Sequence, residues 1–327
     1  MRPDLRLPFA TATHPQTTRL QELTEQWCRK FGLLRTPEVV AKFHALGYGR
    51  IMATLCPYAR LDGVGLITDW NSFFFITDDQ QDIAVTTNRL AQYEELVASM
   101  RHTIAGDPEP TPYHHHPLLI ALRNLLGRTL PGRPAYWAPR FRENLDRWLT
   151  GHLREDFYRF TATVPEIADY IAVRRDASTV LPTLDLVEMV EGATVPDALY
   201  ETPQYQTLVL GTADIMCWIN DIHSLHKEQG DPINFVTVLD HHQQLGEQRA
   251  VAAVADRIVA RVEDHVTALN ELPGVMRQLD VHDPERVMRC ALDMQSWAAG
   301  MEAWDRTDTI RFVDDESYVD DLLEMTS

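Results

Sequence analysis

Apolar residues recur at helical spacing along nearly the whole chain. Segments 15–31, 36–46, 60–83, 84–105, 117–128, 136–160, 165–178, 182–192, 203–228, 244–270 and 284–305 each carry that period, and Pro196 opens a further short helix. The breakers agree with the pattern. Gly32 and Gly192 stand at helix ends, Pro165 at a helix start, and Gly230-Asp231-Pro232 breaks the chain, with Asp231-Pro232 expected as N-cap and first turn of the next helix. Gly211 is a point of interruption within 203–228. No alternating strand pattern and no internal repeat is present. About a dozen helices without an intervening linker predict an all-α bundle, one domain over 1–327, with 1–14 and 313–327 as flexible or closing termini.

Two places break the amphipathic pattern with oxygen-bearing side chains. Behind the run Phe73-Phe74-Phe75-Ile76 comes Asp78-Asp79-Gln80-Gln81-Asp82, so this helix is apolar nearly all round and polar only near its end. In Asn220-Asp221-Ile222-His223-Ser224-Leu225-His226-Lys227-Glu228, the residues Asn220, Ser224 and Glu228 recur every fourth position. At about 100° per residue such positions share one helix face. Asp78 and Asp82 share a face for the same reason, whereas Asp79 points about 100° away. Amide, hydroxyl and carboxylate oxygens are hard donors that suit Mg²⁺ better than zinc or copper. Two separated faces of such donors suggest a magnesium cluster holding a diphosphate.

Composition sharpens this. Acidic residues outnumber basic ones 48 to 30, a net charge of −18, which argues against a nucleic-acid partner. An anionic substrate fits only if cations bridge it to the protein. Lysine occurs only at 30, 42 and 227, a bias that fits a GC-rich bacterial genome, so Lys227 inside the second motif stands out. Cys28, Cys56, Cys217 and Cys290 form no CxxC and read as reduced core or cavity thiols. The N-terminus lacks a signal-peptide core, and no stretch reaches the ~20 apolar residues of a membrane span, which predicts a cytoplasmic protein without membrane contact.

Residues 220–228 resemble the NSE motif of class I terpene synthases, roughly N-D-x-x-S-x-x-K-E, and 78–82 resemble their aspartate-rich D-D-x-x-D motif. The two stand in the family's order, about 140 residues apart, and the resemblance covers most of the chain. It implies the isoprenoid-synthase α-bundle, without the extra helical domains of plant enzymes. The implied activity is Mg²⁺-dependent ionisation of an acyclic isoprenyl diphosphate, followed by cyclisation of the carbocation. Three Mg²⁺ ions are implied, held by Asp78 and by Asn220, Ser224 and Glu228, with Asp82 either binding metal or pairing with an arginine on closure. Lys227 would contact the diphosphate. Matching offsets around Arg174-Arg175 gives Arg175 as diphosphate sensor, Ser178 as linker and Thr179 as effector, whose carbonyl faces the substrate from a helix break; Pro182 fits such a break. Two surface arginines remain the plain alternative. Thr309-Ile310-Arg311-Phe312 resembles the family's Arg-Tyr pair with Phe312 in place of tyrosine, leaving Arg311 to grip the diphosphate. Among single-domain bacterial relatives farnesyl diphosphate is the favoured substrate, with geranyl and geranylgeranyl diphosphate as alternatives. Antiparallel homodimers are frequent among similar enzymes.

The cavity wall follows from Asp78. Phe74 and Phe75 lie one turn deeper on its face, and aromatic faces stabilise a carbocation without trapping it. Trp297, Trp304 and Arg311 are spaced by seven and would form one stripe. Trp304 is assigned to the cavity wall, while Trp297 fits a wall and an ordinary core equally. His114-His115-His116 reads as an exposed polar loop. Three other readings compete. A chain-elongating prenyltransferase would carry a second DDxxD in place of 220–228. A metal hydrolase would use Asp240-His241-His242, Asp264-His265 or His282-Asp283. An acidic helical binding protein would leave the spaced ligand sets unexplained.

Overall fold

The computed structural model describes residues 5, 7–107, 111–308 and 319–324, apart from the side chains of 307 and 308. Among them stand fourteen α-helices and no strand. They are α1 (Thr17–Lys30), α2 (Pro37–Leu46), α3 (Tyr48–Leu55), α4 (Leu61–Thr86), α5 (Leu90–Ala105), α6 (Pro117–Thr129), α7 (Trp137–Thr161), α8 (Ile167–Ala177), α9 (Val180–Glu191), α10 (Asp197–Tyr200), α11 (Pro203–Ser224), α12 (Phe235–Gln243), α13 (Glu247–Gln278) and α14 (Pro284–Ala303). A π-helical turn, Trp304–Asp308, continues α14. The all-α expectation is met.

Burial sorts the helices into inner and outer ones. Helix α4 buries side chains all round its axis and runs through the middle of the bundle. Helix α11 is buried almost continuously from Leu208 to Ser224. Helix α13 buries a single stripe, Ala250, Val254, Ile258, Val262, His265, Ala268, Leu272 and Met276, and packs with it against α11 and α12.

Several boundaries differ from the sequence expectation. Helix α3 was not expected, because eight residues are too few to display a helical period. It is held by tertiary contact. Gly49 lies so close to α1 that a Cβ there would sit 2.6 Å from Gln21 N, and Gly49 N donates to Gln21 Oε1 at 2.7 Å. Helix α11 ends at Ser224 rather than 228 and passes through Gly211 unbroken. Asp231-Pro232 does not open the next helix. Asn234 caps α12, while Asp231 accepts from Ile233 N at 2.9 Å and pairs with Arg159 at 3.0 Å. Helix α13 runs through Pro273 to Gln278, since burial of Leu272 and Met276 offsets the lost hydrogen bond.

The described parts of the termini are packed, not loose. Leu5 and Phe9 are buried, and His14 N donates to Ala53 O at 2.8 Å. At the other end, Gln80 of the aspartate-rich segment clamps 320–322: its Nε2 donates to Asp320 O at 3.0 Å and its Oε1 accepts from Leu322 N at 2.8 Å. His116 is buried and bonds Leu322 O at 2.9 Å, so only His114 and His115 are exposed as expected.

Where α3 and α9 end against α14, Cys56, Glu191 and Asp293 bring a thiol and two carboxylates within 4.8 Å of one another, all buried. Loss of hydration, then the Glu191 charge, pushes the Asp293 carboxyl up to about 8. The unfolded chain releases this proton near about pH 4. The folded state keeps it, so this group makes the fold weaker as pH rises from about 4 to about 8. Asp293→Asn, which keeps the shape and donates to Glu191, is expected to stabilise the protein at pH 8 by about 1–3 kcal/mol and to flatten the pH dependence. Thermal melts at pH 6 and 8 check this; a variant melting lower at both would contradict it.

Candidate active site

Helices α4, α7, α11 and α14 and the junction of α8 with α9 enclose a cavity of about 170 Å³, room for on the order of ten waters. Its interior wall is largely apolar, with Ile51, Phe74, Phe75, Met216, Trp297 and Met301, and its charged groups are Asp78, Asp82, Glu155, Arg159, Arg174, Lys227 and Glu228.

Asp78 and Asp82 occupy successive turns of α4 on the cavity side, as their spacing predicts, and Asp79 is buried elsewhere. Loss of hydration, then the charge of Asp78, pushes Asp82 up to about 7. Asn220 stands on the facing wall near the end of α11. Glu228 lies beyond that helix, yet its N–H still donates to Ser224 O at 3.0 Å, so one further turn keeps it near Asn220. Ser224 Oγ donates to Glu228 Oε2 at 2.7 Å, which places Ser224 behind the carboxylate rather than at the cavity surface. Burial, then the charge of Asp221, raises the Glu228 carboxyl.

The arginine reading is corrected by one residue. Arg175 lies outside the cavity, forked on Asp214 at 2.6 and 2.7 Å. Arg174 lines the cavity, donating to Asp221 at 2.9 Å and to Asn220 Oδ1 at 3.0 Å. Adjacent positions differ by about 100° around the helix, and the packing of α8 on α7 and α11 turns Arg174 inward. The helix break differs from the expectation likewise. Helix α8 ends at Ala177, Ser178 is extended with φ −70° and ψ 151°, and Thr179 is the N-cap of α9. The Thr179 carbonyl already accepts from Thr183 N at 3.1 Å. Pro182 has no N–H, so the carbonyl left without a helical donor is that of Ser178. Ser178 and Thr179 both line the cavity.

Phe74 and Phe75 line the cavity, Phe74 edge-on to Trp148 at 4.8 Å and Phe75 stacked on Tyr48 at 4.6 Å. Of the two tryptophans, Trp297 is at the wall and Trp304 is not. Trp304 stands behind Phe75, 6.0 Å away, with its indole N–H on Leu46 O at 2.9 Å. The two share a helix stripe, but seven residues set Trp304 about 10 Å further along the axis, where it packs behind Phe75 and beside Tyr48 instead of reaching the cavity. Arg311 and Phe312 lie outside the described residues.

Helix α7 supplies residues that the sequence reading missed. His152, Glu155 and Arg159 form a polar stripe at i, i+3 and i+7, a signal open to detection beside the buried Trp148 and Leu149. Burial pushes Glu155 up to about 7. Arg159 bridges Asp231 at 3.0 Å and Glu155 at 3.8 Å. Asp221, also unassigned, is fully buried and orients Arg174 while accepting from Tyr170 Oη and from Phe235 N at 2.8 Å.

The donor set fits magnesium. All the candidate ligand atoms are oxygens on two walls, and Asp82, Glu155 and Glu228 are held toward protonation by loss of hydration and by neighbouring carboxylates, Asp78 beside Asp82 and Glu155, and Asp221 beside Glu228, a penalty that divalent cations would remove. The His-Asp pairs serve other ends. Asp240 accepts from Gly246 N at 2.6 Å, His242 bonds Pro165 O at 2.9 Å, Asp264 pairs with Arg261 at 3.4 Å, His265 with Thr212 at 3.2 Å, and Asp283 caps α14. Among the described residues no helix is long and apolar enough to cross a membrane.

Residues 69–264 match the family described as terpene synthase family 2, C-terminal metal binding. Pristinol synthase of Streptomyces pristinaespiralis is 31% identical over 92% of this chain and 82% of its own. The (2E,6E)-farnesyl diphosphate cyclizing (+)-T-muurolol synthase of Roseiflexus castenholzii is 27% identical over 92% of this chain and 91% of its own. The crystal structure of a-eudesmol synthase superposes with a TM-score of 0.83 over 94% of this chain and 99% of that one, at 22% identity, a likeness of fold.

Proposed function

The chain belongs to the terpene synthase family as a class I terpene cyclase, a lyase, and we propose from that premise that it converts farnesyl diphosphate to a cyclic sesquiterpene with release of diphosphate. The observation that carries the reading is two walls of oxygen donors, Asp78 and Asp82 facing Asn220 and Glu228, across a cavity with an aromatic interior. Farnesyl rather than geranyl or geranylgeranyl diphosphate is favoured because a relative of nearly equal coverage bears that substrate in its name.

Asp78 and Asp82 would hold Mg²⁺ on one wall, and Asn220 and Glu228 on the other, three ions in all by resemblance; Ser224, whose Oγ now donates to Glu228, would join them only by turning from that carboxylate. Bound magnesium supplies positive charge to the departing diphosphate. Arg174 presents a forked guanidinium to diphosphate oxygens, Lys227 adds a point charge, and Arg311 joins them by resemblance. The Ser178 carbonyl, left without a helical donor beside the cavity, would offer its dipole to the positive charge that develops at the allylic end of the chain. Phe74, Phe75 and Trp297 present π-faces to the cation, and their apolar surroundings keep water away. No side-chain nucleophile is needed.

The test is incubation of the protein with geranyl, farnesyl and geranylgeranyl diphosphates separately, with and without Mg²⁺, and gas chromatography–mass spectrometry of the extract. A cyclic C15 product that requires Mg²⁺ is the expected result. Product from another chain length alone would overturn the substrate, and no product from any of the three would overturn the reading. Consumption of isopentenyl diphosphate would instead favour chain elongation.

A further inference from the structure

We propose that Asn71 holds one water in the cavity, away from the metal-binding residues, and that this water captures the last carbocation. Asn71 is then a positioning residue, and the product is a cyclic C15 alcohol; both rest on the cyclase reading above. Asn71, Phe74, Phe75, Asp78 and Asp82 line the cavity from one stripe of α4. Asn71 comes seven residues before Asp78, which sets it about 10 Å away along the helix axis, beyond the two phenylalanines. It is 2% exposed, and its Nδ2 has no hydrogen-bond partner among the described residues. The polar side chains around it on α4 are all satisfied. Thr68 donates to Val64 O at 2.8 Å, Ser72 to Thr68 O and Thr77 to Phe73 O at 2.9 Å. Asp69 accepts from Arg128 at 2.7 Å, and the Trp70 indole donates to Thr129 Oγ1 at 2.9 Å. Among the buried polar side chains from 68 to 77, the one with an unpaired atom is the one that lines the cavity. Trp297, on another part of the same wall, has its indole Nε1 in the same condition.

A buried amide without a partner costs stability, so a position that keeps one has a use for it. The hydrocarbon chain of farnesyl diphosphate offers the amide neither donor nor acceptor. A water satisfies it while that chain is bound, since the amide can donate through Nδ2 and accept through Oδ1, and a cavity of about 170 Å³ has room for one beside the chain. With Oδ1 accepting one of its hydrogens, the water keeps a lone pair for the cation. The rings of Phe74 and Phe75 stand between it and the leaving group, so it meets the cation that forms at the far end and not the earlier ones. In the capture step the lone pair forms the C–O bond and one O–H bond of the water breaks. The proton passes through a further water to the diphosphate released at ionisation. Nothing is oxidised or reduced: farnesyl diphosphate and water become an alcohol and hydrogen diphosphate.

Turnover of farnesyl diphosphate with Mg²⁺ in H₂¹⁸O, followed by gas chromatography–mass spectrometry, tests this. The wild type is expected to give mainly a cyclic C15 alcohol with the label in its hydroxyl. Asn71→Leu fills nearly the same space without a donor or acceptor. It is expected to lower the ratio of labelled cyclic alcohol to hydrocarbon by about 10-fold or more, compared at equal substrate consumption. A change of shape alone can redirect a cation, so the equal-sized pair Asn71→Thr and Asn71→Val separates shape from polarity. Asn71→Thr, which keeps a hydroxyl, is expected to retain a ratio about 10-fold above that of Asn71→Val. The same pair decides the matter if Asn71→Leu does not fold. A cyclic hydrocarbon as the main wild-type product, a hydroxyl without label, an unchanged ratio in Asn71→Leu, or equal ratios in the Thr and Val variants overturns the role of Asn71 and leaves the cyclase reading intact. No cyclic C15 product from the wild type overturns both.

Discussion

Asp78→Asn is expected to lower turnover of farnesyl diphosphate by about 10²–10³-fold, and Asn220→Ala by a similar factor, because each removes an oxygen that fixes positive charge opposite the leaving diphosphate. Neither change should cost much stability. Asp78 is partly exposed, and its charge helps push Asp82 up to about 7, so neutralising it relieves repulsion in the metal-free protein. Its thermal midpoint without Mg²⁺ is expected to stay equal or rise slightly. Asn220→Ala deletes one acceptor of Arg174, which retains Asp221 at 2.9 Å. The measurement is kcat across a Mg²⁺ titration, paired with a thermal melt. Wild-type-like kinetics in both variants would sink the ligand assignment; loss of activity together with a collapsed melt would assign Asp78 a structural role instead.

The second large effect separates two adjacent arginines. Arg174→Lys keeps the charge but loses the fork that spans Asp221 and Asn220, and is expected to reduce kcat by about 10²-fold or more. Arg175→Met is expected to do the opposite. It leaves the buried Asp214 with Arg261, at 2.9 Å, and should cost about 1–3 kcal/mol of stability while turnover at moderate temperature stays near wild type. The pair is read by steady-state kinetics and melts on both variants. A loss of turnover in Arg175→Met larger than that in Arg174→Lys would restore the original register and, with it, Thr179 as effector.

The helical class of this protein and both oxygen-donor motifs are written in local periods. Asp78 and Asp82 line the cavity as their spacing demands, since i and i+4 share a face wherever a helix forms, whereas of the second motif Asn220 and Glu228 line it and Ser224 stands behind Glu228. Phe74 and Phe75 follow from the same rule applied to α4. What the chain alone left undecided are the quantities set by how helices pack. Whether Arg174 or Arg175 faces inward is a matter of about 100° of rotation, fixed by the packing of α8 on α7 and α11. The carbonyl at the break is fixed by where α8 stops and by the missing N–H of Pro182, so local chemistry narrows it and tertiary contact selects Ser178. Trp297 rather than Trp304 reaches the cavity because Trp304, two turns further along the same stripe, is covered by Phe75 and Tyr48, a matter of where the cavity ends. The stripe His152, Glu155 and Arg159 resembles a solvated face by composition, and only its burial against α4 and α8 makes it part of the site. Sequence thus determined which chemistry the chain carries, because ligand type and helical period act over a few residues. Tertiary structure decided which side chains share one cavity, because that depends on the rotation and contact of helices far apart in the chain.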